Sequence, residues 1–197
     1  MEIVVATRNA DKIREIRAIL PGGFKLLSLD DIGFDLDLEA AEDGESFEEN
    51  VIKKAEFVRS FLAYDCLVLA DDSGLVIDAL GGLPGVDSAN FMGRDTPYKV
   101  RHEWILAQIG ALGRSARFVC VMALATPAGT RTFHATMEGK IAEKPAGDGG
   151  FGYDPIFYLP EFGKTAAQLS MEQKNKISHR GKALLKAVDY LHENFGI

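Results

Sequence analysis

Two short, continuously apolar runs place the strongest limit on how this 197-residue chain folds. Residues 66–70 read CLVLA and residues 118–125 read FVCVMALA. The first run predicts a strand covered on both faces, and the second lies in the first strand of a predicted hairpin, so helices must pack against a sheet. Helical patterns lie between the strand patterns, and we therefore expect an α/β fold with a mixed central sheet flanked by helices.

The remaining elements follow from periodicity and capping signals. The chain opens with a strand at 3–6, a polar loop and a helical pattern at 13–20 that stops at Pro21. Ser46 and Glu49 form a capping box that begins a second helix. A strand ends at Asp71-Asp72, Thr96 and Pro97 begin another helix, a hairpin turns at 127–129, and Ser178 caps the last helix. We expect a single domain over residues 1–197.

Charge is unevenly distributed along the chain. Residues 30–49 hold ten carboxylates and neither Lys nor Arg; because the whole chain carries −7, the remainder carries +3. This pattern argues against a protein that coats a nucleic acid polymer. Membrane-spanning and secretory segments are not evident in the sequence, and the two cysteines are interpreted as buried free thiols. We expect a cytoplasmic protein without membrane contacts.

The first loop, residues 7–12, has the composition of a phosphate-binding segment. A strand that leads into a helix presents free backbone N–H groups and the positive end of the helix dipole, and Lys12 adds a full charge. Taken alone, the loop is better explained as a capped helix start with solvated Arg8 and Lys12.

Three acidic residues are candidates for a metal site. Asp71 and Asp72 follow the buried strand, where open α/β folds place ligands, and Glu42 lies in the acidic segment. Carboxylate and phosphate oxygens are the ligands that Mg²⁺ prefers. Taken alone, Glu42 is better explained as one of ten solvated acids.

Two later segments can contact a base or phosphates. In Gly149–Pro155 the glycines permit close backbone approach, the aromatic rings can stack on a flat ring and Asp154 can accept an N–H; a tight turn with core aromatics is the alternative. In Lys174–Arg180, His179 and Arg180 put cationic side chains at a helix start, against the dipole. We interpret His102, His134 and His192 as structural or solvated.

Taken in order, these segments resemble the inosine/xanthosine triphosphate pyrophosphatase family, nucleotide house-cleaning enzymes that act on deaminated purines. The matching stretches are ATRNADKIREI (6–16), SFEENVIKKA (46–55), ADDSGLVIDALGGLPGVDSA (70–89), GGFGYDPIF (149–157) and KNKISHRGKAL (174–184). One departure is Asn90, where the family commonly carries Arg.

The resemblance implies an elongated, two-lobed fold around a central substrate cleft, a homodimer and Mg²⁺ as the cofactor. It implies that ITP, dITP or XTP and water give the monophosphate and pyrophosphate. Alternatives are a pyrophosphatase of pyrimidine or methylated nucleotides, and a nucleotide sensor that does not hydrolyse its ligand.

The resemblance also assigns site residues. Asp72 is the implied general base, and Glu42 with Asp72 the implied metal ligands. The implied substrate-binding residues are Thr7, Arg8, Asn9, Ala10, Asp11, Lys12, Ser73, Phe151, Gly152, Tyr153, Asp154, Lys174, His179 and Arg180.

Overall fold

A computed structural model describes residues 1–36, 38, 44–62 and 66–195. Within these residues the chain forms seven strands and five α-helices. The strands are β1 (Glu2–Val5), β2 (Lys25–Leu27), β3 (Leu67–Ile77), β4 (Ser115–Thr126), β5 (Gly129–Ile141), β6 (Phe157–Leu159) and β7 (Lys164–Thr165). The helices are α1 (Ala10–Ile19), α2 (Phe47–Ser60), α3 (Tyr98–Ile109), α4 (Met171–Ile177) and α5 (His179–Phe195). None of these helices is long and apolar enough to cross a membrane.

The strands form one mixed sheet in the order β2-β1-β3-β4-β5-β6-β7. β1 pairs in parallel with β2 and β3, whereas β6 pairs antiparallel with β5 and β7. The expected mixed α/β fold is therefore confirmed. Contacts divide the chain into two compact units, each described separately below.

Unit 1 comprises Met1–Asp72, Cys120–Ala135 and Arg180–Ile197. Its core joins the apolar residues of β1 and of the first part of β3 to one face of α5. The α5 face is the one expected from its periodicity: Leu184, Ala187, Val188 and Leu191 are all buried. Burying each larger aliphatic side chain of this kind stabilises the fold by about 1.5–3 kcal/mol.

Unit 2 comprises Ser73–Val119 and Thr136–His179. Its core packs Leu75 and Ile77 of β3, Ile105 and Ile109 of α3 and Phe157 of β6. The α3 helix is confirmed, but the expectation that it begins with Thr96 as N-cap and Pro97 as first helical residue is wrong by one position. The Thr96 hydroxyl donates to the Met92 carbonyl at 2.7 Å, and the N-cap position is Pro97, which makes no side-chain cap bond.

The expectation that a strand ends at Asp71-Asp72 is also wrong. β3 continues through both aspartates to Ile77. Because successive strand residues point to opposite faces, the two carboxylates leave the strand in opposite directions. Asp71 is fully buried, while Asp72 is half-buried. A buried carboxylate within a strand requires compensating cations, which the local sequence does not reveal.

Candidate functional site

In unit 1, the loop before α1 is organised by its own polar side chains. The Asn9 side chain caps the helix, accepting from the amides of Asp11 (2.9 Å) and Lys12 (3.1 Å). The buried Thr7 hydroxyl accepts from the Asn9 amide at 3.2 Å. Two of the amides that the sequence offers to a phosphate are thus bonded to Asn9 in this structure.

Arg8, in the same loop, contacts the acidic segment. Its guanidinium pairs with Asp30 at 3.0 Å and donates to the Phe34 carbonyl at 2.5 Å. Asp11 pairs with Arg14 at 2.5 Å, one helical turn later. Both ion pairs are partly exposed, so they contribute little to stability.

Asp71 is the centre of a buried charged cluster. Lys12 Nζ lies 2.5 Å from Asp71 Oδ1, and Arg180 Nε lies 3.1 Å from Oδ2. The Cys120 thiol donates to the same Oδ2 at 3.1 Å. β3, α1, α5 and β4 each supply one member, so the cluster depends on the assembled unit.

Two further residues complete this cluster. Arg180 Nη1 pairs with Glu15 in a short, fully buried contact, and Lys54 Nζ donates to the Asp71 carbonyl at 3.2 Å. The cluster thus joins three cations to the carboxylates of Asp71 and Glu15, and the charge of Asp72 also acts on Lys12. Lysine and arginine side chains concentrated in this way suit a phosphate-bearing ligand.

The contacts explain the protonation states of the cluster. Burial alone would raise the pKa of Asp71, but the charges of Arg180 and Lys12 outweigh burial and hold this pKa well below its usual range. Burial would likewise lower the pKa of Lys12, yet the charge of Asp71 raises it. Burial, and then the charge of Asp71, raise the pKa of the Cys120 thiol. At neutral pH, Asp71 and Lys12 are charged and Cys120 is a neutral donor.

The predicted metal ligands are only partly described. Glu42 lies outside the described residues, and among those that are described no group of three or more His, Cys, Asp or Glu side chains could hold a metal ion. Asp72 stands on the strand face opposite Asp71. Its carboxylate oxygens, like those of Glu42, are the donor type that fits Mg²⁺.

In unit 2, Asp154 is the centre of a second buried cluster. Lys174 Nζ lies 2.5 Å from Asp154 Oδ2, and both side chains are almost fully buried. The Phe151 amide donates to the same oxygen at 2.9 Å, and the Lys174 ammonium lies 5.0 Å from the Phe151 ring centroid. The turn needs glycine at position 150, where φ is +67° and a Cβ would stand 2.0 Å from Asp154 Oδ2.

The other predicted residues of unit 2 are held by aromatic and backbone contacts. His179 is buried and stacks on Phe118, with ring centroids 4.8 Å apart and an interplanar angle of 11°. The buried Tyr153 hydroxyl donates to the Ser88 carbonyl at 2.9 Å. Ser73 is half-buried, next to Asp72 in β3.

The structure thus brings predicted residues together within each unit. Lys12 and Arg180 meet at Asp71, and Phe151 and Lys174 meet at Asp154. Sequence reasoning missed Glu15, Lys54 and Cys120. The only available signal was the position of Lys54 on the apolar face of α2, between Val51 and Val58, where a solvated lysine is not expected.

The fold and these clusters define a class: a mixed α/β protein with buried charged groups suited to a small anionic ligand. A sequence model of the Ham1 family matches residues 3–190. The chain belongs to the Ham1 family.

Similar proteins agree over almost the whole chain. A dITP/XTP pyrophosphatase of Geobacter sulfurreducens is 46% identical over 194 residues, which cover 96% of each chain. One of Geobacillus kaustophilus is 47% identical over 200 residues, which cover 99% of this chain and 96% of that one. The solved structure of the Staphylococcus aureus Ham1 protein superposes with a TM-score of 0.86 at 40% identity, covering 98% of this chain and 99% of that one. The resemblance noted in the sequence is confirmed.

Proposed function

We propose that this protein hydrolyses the deaminated purine nucleoside triphosphates ITP, dITP and XTP to the monophosphate and pyrophosphate. The observation that carries the proposal is the likeness, over at least 96% of each chain, to relatives named dITP/XTP pyrophosphatase. The two buried clusters support it, because they contain the residues that the sequence assigned to phosphate and base binding.

The Asp71 cluster has the charge and partial exposure that phosphate binding requires. Lys12 has 15% of its side chain exposed and its ammonium is held by Asp71, and it is the proposed cation for the phosphates. The loop 7–12 orients Lys12 through the Asn9 cap. We assign the phosphate contacts to this loop; a substrate contact by Arg180, whose guanidinium binds Asp71 and Glu15, stays a prediction.

Asp72 is the proposed general base. Its carboxylate accepts a proton from the attacking water and orients that water towards the α-phosphorus, while pyrophosphate leaves on the far side. Asp72, with Glu42, is also the proposed holder of Mg²⁺. When bound, Mg²⁺ supplies charge neutralisation for the phosphate oxygens. The Lys12 ammonium stabilises charge that develops on those oxygens.

The Asp154 cluster is the proposed site of base recognition. Hypoxanthine and xanthine present a 6-carbonyl acceptor and an N1–H donor, whereas adenine presents a 6-amino donor and a bare N1. Asp154 is an acceptor held by Lys174, and His179, which stacks on Phe118 in unit 2, is the proposed donor. A buried polar mismatch of this kind can reduce the use of ATP by about 10⁴-fold.

Several expectations accompany this function as proposals. We place the protein in the cytoplasm as a homodimer that acts on free nucleotides, without a nucleic acid polymer or a membrane as partner. The single domain of two lobes around one cleft also stays a prediction.

The decisive assay is pyrophosphate release from a panel of nucleotides, with Mg²⁺ and with EDTA. We expect release from ITP, dITP and XTP that far exceeds release from ATP and GTP and that disappears with EDTA. Faster turnover of dTTP or UTP would favour a pyrimidine-directed enzyme. Binding of ITP without release would identify a sensor.

The role of Asp72 is tested by Asp72→Asn, which preserves shape and removes the charge. We expect loss of turnover of ITP with an unchanged far-UV circular dichroism spectrum. Asp78→Asn is the matched control, because Asp78 immediately follows the same strand and its carboxylate forms a partly exposed pair with Arg117. Near-normal release by Asp72→Asn would contradict the assignment.

A further inference from the structure

Helix α3 presents three side chains to the segment Phe151–Asp154. Tyr98, Arg101 and His102 are spaced i, i+3 and i+4, so they share one face of the helix. Arg101 and His102 are 1% and 6% exposed. Such burial of a guanidinium and an imidazole on one helix face is unusual unless both make specific bonds.

His102 holds the backbone of the segment directly. Its Nε2 lies 2.9 Å from the Gly152 carbonyl oxygen. Because a carbonyl can only accept, Nε2 carries the proton in this contact. Burial lowers the pKa of His102, although the bond to Gly152 opposes this effect, so the ring is neutral at neutral pH.

The geometry of Gly152 depends on the same helix face. Gly152 has φ +61°, and a Cβ at this position would lie 3.6 Å from the Tyr98 ring. The Tyr98 ring also packs edge-on against Tyr153, with centroids 5.2 Å apart at 90°. The left-handed residue and the tyrosine that follows it are therefore packed against α3.

Arg101 reaches the segment through one intermediate carbonyl. Its Nη1 donates to the Ser88 and Ala89 carbonyls at 3.2 and 2.7 Å, and the Tyr153 hydroxyl donates to the same Ser88 carbonyl. Nη2 donates to the Gly93 and Arg94 carbonyls at 3.0 and 3.3 Å. Arg101 thus fixes the loop that Tyr153 binds.

We propose that His102 is a positioning residue for base recognition, setting the conformation of Phe151–Asp154 through its bond to the Gly152 carbonyl. This inference rests on the proposed function of that segment. The Phe151 amide and the Asp154 carboxylate are bonded to each other, and Lys174 holds Asp154. His102 fixes the Gly152 carbonyl, which lies in the chain between Phe151 and Asp154. Gly152 has no side chain that could hold this peptide in place.

Loss of the bond between His102 and Gly152 should affect binding of the base. Without the bond, the Gly152–Tyr153 peptide can rotate and displace the Phe151 ring relative to Asp154. Misplacement by about 1 Å at a recognition site can cost on the order of 10²-fold in rate or binding. Because the bond of His102 is to the Gly152 carbonyl, within the proposed base-recognition segment, we expect an effect on KM rather than on kcat.

The test compares two substitutions at one position. His102→Gln retains an N–H donor near the position of Nε2, whereas His102→Leu removes it and keeps an apolar side chain. We expect His102→Leu to raise KM for ITP by roughly tenfold with kcat within about threefold of the wild type. His102→Gln should restore KM to within about threefold of the wild-type value.

His192→Leu is the matched control. It makes the same chemical change at an exposed helical histidine, whose ring stacks on Phe24 in unit 1. We expect wild-type KM and kcat. An unchanged KM in His102→Leu would overturn the proposal, and an equal defect in both His102 variants would show that packing, not the bond, is responsible.

A second readout does not depend on catalysis. Amide hydrogen exchange of the peptide covering residues 151–154 should be faster in His102→Leu than in the wild type, and near wild-type in His102→Gln. If the wild type released no pyrophosphate from ITP, the proposed function would fail while this exchange pattern still supported the positioning role. Unchanged exchange in His102→Leu would reject positioning itself.

Discussion

Asp71→Asn is the substitution whose effect on stability can be worked out most directly from the structure. Asn has nearly the same shape, so it removes the negative charge that faces Lys12 and Arg180 without opening a cavity. For two unit charges about 3 Å apart, with an effective dielectric constant of about 20, each lost attraction amounts to roughly 5 kcal/mol. This loss is partly offset because the neutral Asn side chain avoids the desolvation cost of a carboxylate. Removing one partner of a buried ion pair usually costs about 3–5 kcal/mol, and we expect a loss in that range.

The measurement is urea unfolding followed by circular dichroism. Asp30→Asn is the control, since it removes a carboxylate that also pairs with an arginine but is 85% exposed; we expect no measurable change in its midpoint. The pKa of Asp71 is depressed in the folded state, so its contribution is complete above the unfolded value of about 3.8 and disappears as pH falls through the folded pKa. The difference between wild type and Asp71→Asn should therefore be constant from about pH 5 to 8. A loss below about 1 kcal/mol would refute the argument that the cluster needs this charge.

Three further outcomes are expected. Gly150→Ala should raise KM for ITP by about tenfold or more, because the new Cβ displaces the Asp154 carboxylate. The control Gly163→Ala, with φ +62° in open space, should cost only about 1 kcal/mol of stability and leave KM unchanged. Equal KM values in the two variants would contradict this prediction. In a urea titration, Arg101→Met should lower the free energy of unfolding by about 3 kcal/mol, since four carbonyls lose a charged donor. The control Arg131→Met, at an exposed position, should leave the free energy of unfolding unchanged. The pKa of His102 in the folded state lies below its usual 6.5, so the unfolded state binds more protons than the folded state as pH falls. The wild type should therefore lose more stability than His102→Gln between about pH 7.5 and 5.5. An equal loss would exclude a buried neutral His102.

Sequence reasoning was most successful where a strong local signal agreed with the packing. The helix that begins after Ser46 is an example: the Ser46 side chain accepts from the Glu49 amide, as the capping box predicts. The second half of the box differs, because Glu49 accepts from the Glu45 amide instead of the Ser46 amide. The hairpin between β4 and β5 and the buried face of α5 were likewise evident, since apolar periodicity and turn residues lie within a few positions of one another.

The failures have a common physical cause, which is dependence on remote partners. β2 has three residues, too few to show alternation, and it exists because its backbone pairs with β1. β3 passes through Asp71 because Lys12 and Arg180, from distant parts of the chain, neutralise it. Buried Arg101 and Lys54 were not predicted either, since the carbonyls that bind them are brought near only by folding.

The same contacts separate the roles of the adjacent aspartates, which the sequence alone presented as a pair. A proton acceptor works best with a pKa near the operating pH. Asp71, held far below its usual pKa by Arg180 and Lys12, is a very weak base, and its fixed charge serves instead to keep the Lys12 ammonium in place. Asp72 points to the opposite face of the strand and is half-buried, although its charge also raises the pKa of Lys12. Substituting Asp71 should therefore reduce stability and displace Lys12, whereas substituting Asp72 should remove turnover while the fold remains intact.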